Sequence, residues 1–587
     1  MTKMLKSIKK KDIIAIIVII GLISLQVYLD LKIPDYMSTI TRLVQTEGSK
    51  MHDIIINGTY MLLCAFGSLA SAVITGYIIS KLSSNFSLNI REKLFDKVQN
   101  LSMNEIKKFQ TSSLITRTTN DVTQVEMIIA MGLQMLIKAP ITAIWAITKI
   151  LNKSWQWSAI TAIAVLIILI MITILVTIVV PKFKKVQKLT DQVNNKTREN
   201  IKGIRVIRAF NAEKYQEDKF EETNNELTNN QLFTQKAMSF MSPIMYLIMY
   251  GLTLAIYFVG AYIIEEAQMM DKLPLFTDMV VFSSYAMQIV MSFLMLSMIF
   301  MIYPRASVSI KRINEVLETE STVKEGTKNV KETEVKGEVE FKNVSFKYPG
   351  ADEYILENIS FKAEKGQTIA FIGSTGSGKS SLINLVPRFY DATEGEVLID
   401  GINVKEYTEE TLYNKIGYIP QKAIMFSGTV NENISYGKNK NGKISKDKVQ
   451  EAIKIAQAEE FVLKMDKKYE SEIAQGGTNI SGGQKQRLAI ARAIARDPEI
   501  YIFDDSFSAL DYNTEKTLRH QLKRYTKDST NLIVAQRIGT IMNADKILVI
   551  DQGKCVGIGT HKELLKKCKV YQEIALSQLS KEELEHE

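Results

Sequence analysis

Cysteine is nearly absent from this chain. Cys64, Cys555 and Cys568 are the three in 587 residues, and no two stand at CxxC spacing. That argues against a disulfide framework and against a zinc site, and it fits a reducing cytosolic face. Histidine is almost as scarce, at His52, His520, His561 and His586. Charge of one sign is not in large excess either. Lysine plus arginine (73) less aspartate plus glutamate (64) leaves +9. An excess this small gives no reason to invoke nucleic acid, and its clustering near the first apolar run suits a surface facing anionic lipid. Apolar side chains are plentiful, at 46% of the chain alongside 23% charged. Such a mixture is expected where a membrane part and a soluble part are averaged.

The apolar residues are concentrated before residue 305. Six long stretches run from Ile13 to Leu29, Tyr60 to Ile79, Ile128 to Ile150, Ala159 to Val180, Met241 to Ile264 and Met279 to Tyr303. Each approaches or exceeds the ~20 residues that a spanning helix requires. An even number of spans puts both chain ends on one side, and the basic head Lys3, Lys6, Lys9, Lys10 and Lys11 marks that side as cytoplasmic. The first stretch is long for a cleaved leader and has no small-residue cleavage site after it. Two long charged segments, Ser80 to Met127 and Pro181 to Phe240, then lie inside. Ile201, Ile204, Ile207 and Phe210 keep helical spacing, so these segments read as helical extensions of the spans. Their turns near Ser112 to Asp121 and Ala212 to Phe220 are the expected contacts with the soluble part.

The expected organisation is a transmembrane domain over 1–305, a charged linker over 306–335 that includes Lys331 and Glu332, a nucleotide-binding domain over 336–577 and a charged tail over 578–587. In the third region short apolar runs (Thr368 to Ile372, Val397 to Ile399, Ile500 to Phe503, Leu532 to Val534) alternate with helical stretches. The fold class is therefore a six-helix membrane domain followed by an α/β domain with buried strands. The first run leads into Gly373-Ser374-Thr375-Gly376-Ser377-Gly378-Lys379-Ser380, a full match to GxxxxGK[ST] between strand and helix. Glycines let backbone N–H groups close on phosphate oxygens, Lys379 reaches the terminal phosphates and Ser380 can ligate Mg2+. Ile500 to Phe503 ends in Asp504, a carboxylate at a strand end that can hold the magnesium shell.

Between these two motifs stands Ile480-Ser481-Gly482-Gly483-Gln484. Here the chain resembles the ATP-binding cassette transporter family, whose signature is LSGGQ, and over essentially its whole length it looks like an exporter half-transporter. The resemblance implies ATP and Mg2+ as ligands. It places Tyr348 against adenine, Ser381 beside the phosphate loop, Gln421 in the loop that senses magnesium, and Ser508-Ala509-Leu510-Asp511 in a dimer contact through Asp511. Two cassettes close head to tail in this family, so Ser481, Gly482, Gly483 and Gln484 serve the partner's ATP.

The departures from the family pattern carry more information. After Asp504 the family has a glutamate that polarises water; this chain has Asp505, one methylene shorter, and a misplacement of about an ångström can cost ~100-fold in rate. Where the family has a switch histidine, Leu532-Ile533-Val534-Ala535 runs into Gln536. Glutamine donates a hydrogen bond but carries neither the charge nor the proton of imidazole. The run Ile473-Ala474-Gln475-Gly476-Gly477 also departs from the EVGERG-like segment common in homodimeric exporters. The chain thus resembles the degenerate-site subunit of heterodimeric multidrug exporters, with a second half-transporter as partner.

Cargo is less legible. Met287, Met291, Met295, Met298 and Met301 stand three or four apart in the last span, beside Phe293 and Phe300. Flexible, polarizable methionine suits a surface for small amphiphilic cargo, and the same stripe also serves helix packing or lipid contact. Lys138, within the third apolar run, reads either as a cargo or gating contact or as a side chain snorkelling to the interface. Multi-pass insertion in the cell membrane, with the ATPase domain cytoplasmic, completes the expectation.

Overall fold

The computed structural model describes residues 10–46, 48–151, 153–329, 336–437 and 442–579, without the side chains of 300, 301 and 304. Lys3, Lys6, Lys9, Lys331, Glu332, residues 580–587 of the tail and the side chains of Phe300 and Met301 therefore lie outside the description. The chain divides into two compact units, Met1–Gln99 with Gln110–Thr319, and Asn100–Phe109 with Glu320–Glu587.

In the first unit six helices are long and apolar enough to cross a membrane: Lys10–Gln45, Met51–Gln99, Thr111–Leu151, Trp155–Lys202, Glu213–Glu266 and Met269–Ile299. Helix is the form such runs must take, because lipid offers no partner for backbone N–H and C=O groups. Pro34, Pro140 and Pro181 lie inside these helices. The two inner segments are continuous extensions of the spans, as their spacing predicts. Ile201, Ile204 and Phe210, however, are exposed within this unit, and only Ile207 is buried. The core is built on Ile19, Ile23, Trp157, Phe282 and Tyr285. Charges within the spans are paired: Lys138 Nζ stands 3.5 Å from Asp30 and Lys149 Nζ 2.7 Å from Asp35. Tyr285 donates to the Leu31 carbonyl at 3.1 Å and also to Asp35.

One expectation is corrected. The linker was expected from 306, but the last helix continues to Glu318, because Ile310, Ile313 and Val316 keep an apolar face at helical spacing, with Ile313 and Val316 fully buried. The loop segment that belongs with the second unit is Asn100–Phe109, whereas Ser112 to Asp121 belongs with the first. The short helix Met103–Phe109 buries Glu105 and Phe109, and Glu105 accepts from the Thr322 backbone N–H at 3.4 Å.

The second unit holds two sheets and a small ribbon. One sheet is antiparallel in the order β2 (Leu356–Ala363), β1 (Val339–Phe346), β4 (Glu394–Ile399), β5 (Ile402–Asn403). The ribbon pairs β7 (Gly428–Thr429) with β8 (Glu472–Ile473). The other sheet runs in the order β12 (Lys554–Gly559), β11 (Lys546–Asp551), β3 (Thr368–Ile372), β10 (Thr530–Val534), β9 (Ile500–Asp504), β6 (Ile416–Ile419), all parallel except the β11–β12 pair. Its central strands are buried on both faces, which explains their unbroken apolar runs. Lys415, buried beside β6, ties Asp400 at 2.7 Å to Glu499 at 2.8 Å. Removing the cation leaves two carboxylates facing each other inside the protein. Lys415→Met is expected to destabilise this unit by ~3–5 kcal/mol, read as a lowered unfolding midpoint of the soluble part in the full chain.

Candidate functional site

Strand register builds the site. Val534 of β10 lies opposite Phe371 of β3 on one side and Asp504 of β9 on the other. Three neighbouring parallel strands therefore end together. β3 delivers the phosphate loop, β9 delivers Asp504 and Asp505, and β10 delivers Gln536. The junctions are held by Asp505 N–H donating to the Val534 carbonyl at 3.0 Å and Ala535 N–H to the Phe371 carbonyl at 3.2 Å.

The phosphate loop needs its glycines for definite reasons. A Cβ at Gly373 would come 1.9 Å from the Ile550 carbonyl oxygen, and Gly378 has φ +99° with a would-be Cβ 2.8 Å from Leu356. Lys379 folds back over this loop, donating to the carbonyls of Gly373 (2.9 Å) and Ser374 (2.7 Å) and to Ser377 Oγ (3.3 Å). Thr375 and Gly376 form the turn between these contacts. The helix that follows is short, Lys379–Ile383. Ser380 Oγ donates to Asp504 Oδ1 at 2.8 Å, so two of the three residues expected at magnesium are already adjacent. This oxygen-rich pair suits a hard cation that keeps several waters. Tyr418, which no motif marks, reaches the other Asp504 oxygen at 3.5 Å. Burial pushes the carboxyls of Asp504 and Asp505 above the ordinary aspartate value and pushes the Lys379 ammonium down.

Gln536 and Asp505 meet directly. Gln536 Nε2 donates to Asp505 Oδ2 at 2.8 Å, and Gln421 Nε2 donates to the same oxygen at 3.2 Å. Asp505 also sits in the left-handed region at φ +49°, a strained position for a residue with a side chain. Sequence reasoning singled out all three residues without foreseeing that they share one oxygen. It missed Gln578, which donates to the Gln536 carbonyl at 2.7 Å and accepts from Ile538 N–H at 2.8 Å. No motif surrounds Gln578 to signal this role.

Tyr348 is half-buried, edge-on to Phe346 and Tyr390, with its hydroxyl 2.9 Å from Ser381 Oγ. Lys107, from the segment that joins this unit, lies 5.1 Å from the centre of the Tyr348 ring and 5.3 Å from that of Tyr390. Ser481 caps the helix Gly482–Ala495 in a capping box with Gln484, and Gly483 packs against the Ala509 carbonyl. Ser481 and Gly482 are exposed, free to meet another molecule. Asp511 accepts from Thr514 N–H at 2.9 Å and starts the helix Tyr512–Tyr525. In the first unit, Met291 and Met298 are exposed, Met295 is half-buried, Met287 packs on the core, and Lys138 is paired with Asp30. Asp30 escaped notice because it follows the first apolar run and is distant in sequence from Lys138.

The family model for the ABC transporter transmembrane region matches residues 13–322, and the family model described as ABC transporter matches residues 356–508. The chain belongs to the ABC transporters. Its relatives include an uncharacterized ABC transporter ATP-binding protein of Mycobacterium bovis, 36% identical, covering 92% of this chain and 93% of that protein. An ATP-dependent lipid A-core flippase of Pseudomonas aeruginosa is 32% identical, covering 86% and 82%. In fold the chain is similar to a bacterial Atm1-family ABC exporter with ATP bound, at TM-score 0.81 and 23% identity, covering 96% of this chain and 98% of the other. It is thus an ABC transporter with one membrane region and one ATP-binding region in a single multi-pass chain, sharing the fold of an exporter half-transporter.

Base–aromatic stacking contributes ~1–3 kcal/mol, so Tyr348→Ala is expected to weaken ATP binding roughly 5- to 150-fold in equilibrium titration. Tyr348→Phe, which keeps the ring and loses only the contact with Ser381, is expected to bind nearly as the natural protein does.

Proposed function

We propose that this ABC transporter is one subunit of a heterodimeric exporter whose own ATP site binds nucleotide and hydrolyses it poorly. The supporting observation is the 2.8 Å bond from Gln536 to Asp505. Gln536 spends an amide donor on the short carboxylate, and Gln421 spends another on the same oxygen. A carboxylate that polarises water must direct a free lone pair at it, and the group at the switch position must stabilise charge developing on the γ-phosphate. Here Gln536 commits an amide donor to Asp505 Oδ2, which already accepts from Gln421, and not to the γ-phosphate position. Each departure gives the other a partner, which favours a retained binding role for the site over slow turnover in a homodimer.

The intact run Ser481 to Gln484 acts on the partner's ATP. Closure of the two cassettes on ATP drives the inward-open to outward-open change, and hydrolysis at the partner's site, completed by this chain's signature, resets it. Ser380, Asp504 and Gln421 would hold Mg2+, and Lys379 would hold the phosphates. The cargo is a drug-like or lipid-like amphiphile meeting Met291, Met295, Met298 and Lys138 from the membrane side. The relative named as a lipid A-core flippase supports an amphiphile over a peptide.

The assembly is tested by purifying the tagged chain from cells that express it at its native level. The expected result is co-purification, in equal amount, of a second ABC half-transporter with glutamate and histidine at the positions equivalent to Asp505 and Gln536. A stable homodimer with full transport activity would sink the heterodimer reading.

A further inference from the structure

The second unit contains a cavity of about 1230 Å³ whose lining includes none of the phosphate-loop residues. This exceeds the ~300–1,000 Å³ usual for small-molecule sites. One wall is the helix Tyr512–Tyr525 and its C-terminal continuation, and the other is the segment Gly539–Asp545. Lys516, His520 and Lys523 recur at helical spacing on one face of that helix, and Lys527 follows two residues past its end. They span about 16 Å at 1.5 Å per residue. All four are exposed, and none is in an ion pair among the described residues. Among the described residues, Asp545 is the one acidic residue lining the cavity, and its Oδ2 is occupied by Thr368 N–H at 2.7 Å. Phe507, Ile541, Met542 and Leu579 supply an apolar floor.

We infer that this cavity is a regulatory site for a small anion carrying two or more phosphates. A run of ammonium groups that pair with no carboxylate among the described residues attracts clustered negative charge, and a concave wall focuses that field. Three ammonium groups spread along the helix match several phosphates better than one. The apolar floor accommodates a base or another uncharged body.

The walls are tied to the nucleotide site from both sides. The helix begins at Asp511, and its buried Glu515 accepts from Thr540 Oγ1 at 2.7 Å and lies 3.6 Å from Arg537. Arg519 donates to the carbonyls of Gly539 (2.8 Å) and Thr540 (3.1 Å). Gln536 immediately precedes Arg537. An anion drawn between the walls therefore bears on the two segments that carry Asp511 and Gln536, whichever subunit hydrolyses ATP, so this inference stands apart from the heterodimer reading.

The test uses the full-length chain with Lys379→Ala, which removes the phosphate-loop cation, titrated calorimetrically without Mg2+. Tripolyphosphate and ADP are the probes. The expected result is saturable binding of tripolyphosphate with a Kd raised at least tenfold by K516A/K523A/K527A and retained by K516R/K523R/K527R. ADP that binds tighter, with the same dependence on the three lysines, identifies nucleoside polyphosphates as the source. ADP that binds no tighter identifies free polyphosphate. Absence of saturable tripolyphosphate binding, or binding that the triple alanine variant leaves unchanged, overturns the inference.

Discussion

The register of one strand decides the chemistry of this protein. β10 lies between β3 and β9, and pairing Val534 with both Phe371 and Asp504 brings three strand ends level. Side chains carried by separate stretches of sequence then meet within hydrogen-bond distance. A slip of one residue would turn every side chain of β10 to the opposite face of the sheet, so the buried faces of Leu532 and Val534 fix where Gln536 points. The phosphate loop, the magnesium carboxylate and the switch position follow from this single alignment.

With that frame fixed, the two departures from the family pattern act together. Asp505 alone would be a short base and Gln536 alone a neutral switch. Bonded to each other, with Gln421 on the same carboxylate oxygen and Gln578 donating to the Gln536 backbone carbonyl, they form one connected hydrogen-bond network. Burial raises the Asp505 carboxyl above its ordinary value, and the donors around it oppose that rise by stabilising the charged form. On the proposed reading, such a network keeps the shape of a nucleotide site while committing the Gln536 amide and one Asp505 oxygen to each other.

Much of this was legible in the sequence because the signals are local. A spanning helix requires a long apolar run, and a phosphate loop requires glycines at fixed spacing, so both the six spans and the loop at Gly373 could be placed. The buried strands were readable as short apolar runs for the same reason. Less legible were features that depend on distant partners. The end of the last helix was set too early because residues 306–318 look charged, although Ile310, Ile313 and Val316 keep a stripe that buries. Lys138 stood out as an isolated charge because Asp30, its partner, belongs to another span. The placement of Asn100–Phe109 with the second unit rests on Glu105 and Phe109 becoming buried, which no local pattern announces.

The central claim is that the bond between Gln536 and Asp505 marks a site built to hold ATP and spare it. It is tested most directly by steady-state hydrolysis with the full chain reconstituted alone in lipid, comparing the natural protein with Asp505→Glu/Gln536→His. Both forms carry the intact signature, so each self-assembled pair differs only at the altered groups. Restoring the longer carboxylate and the imidazole is predicted to raise turnover by ~100-fold or more. A natural chain that turns over at ~1 s⁻¹ or faster, with the double variant no quicker, would contradict the account.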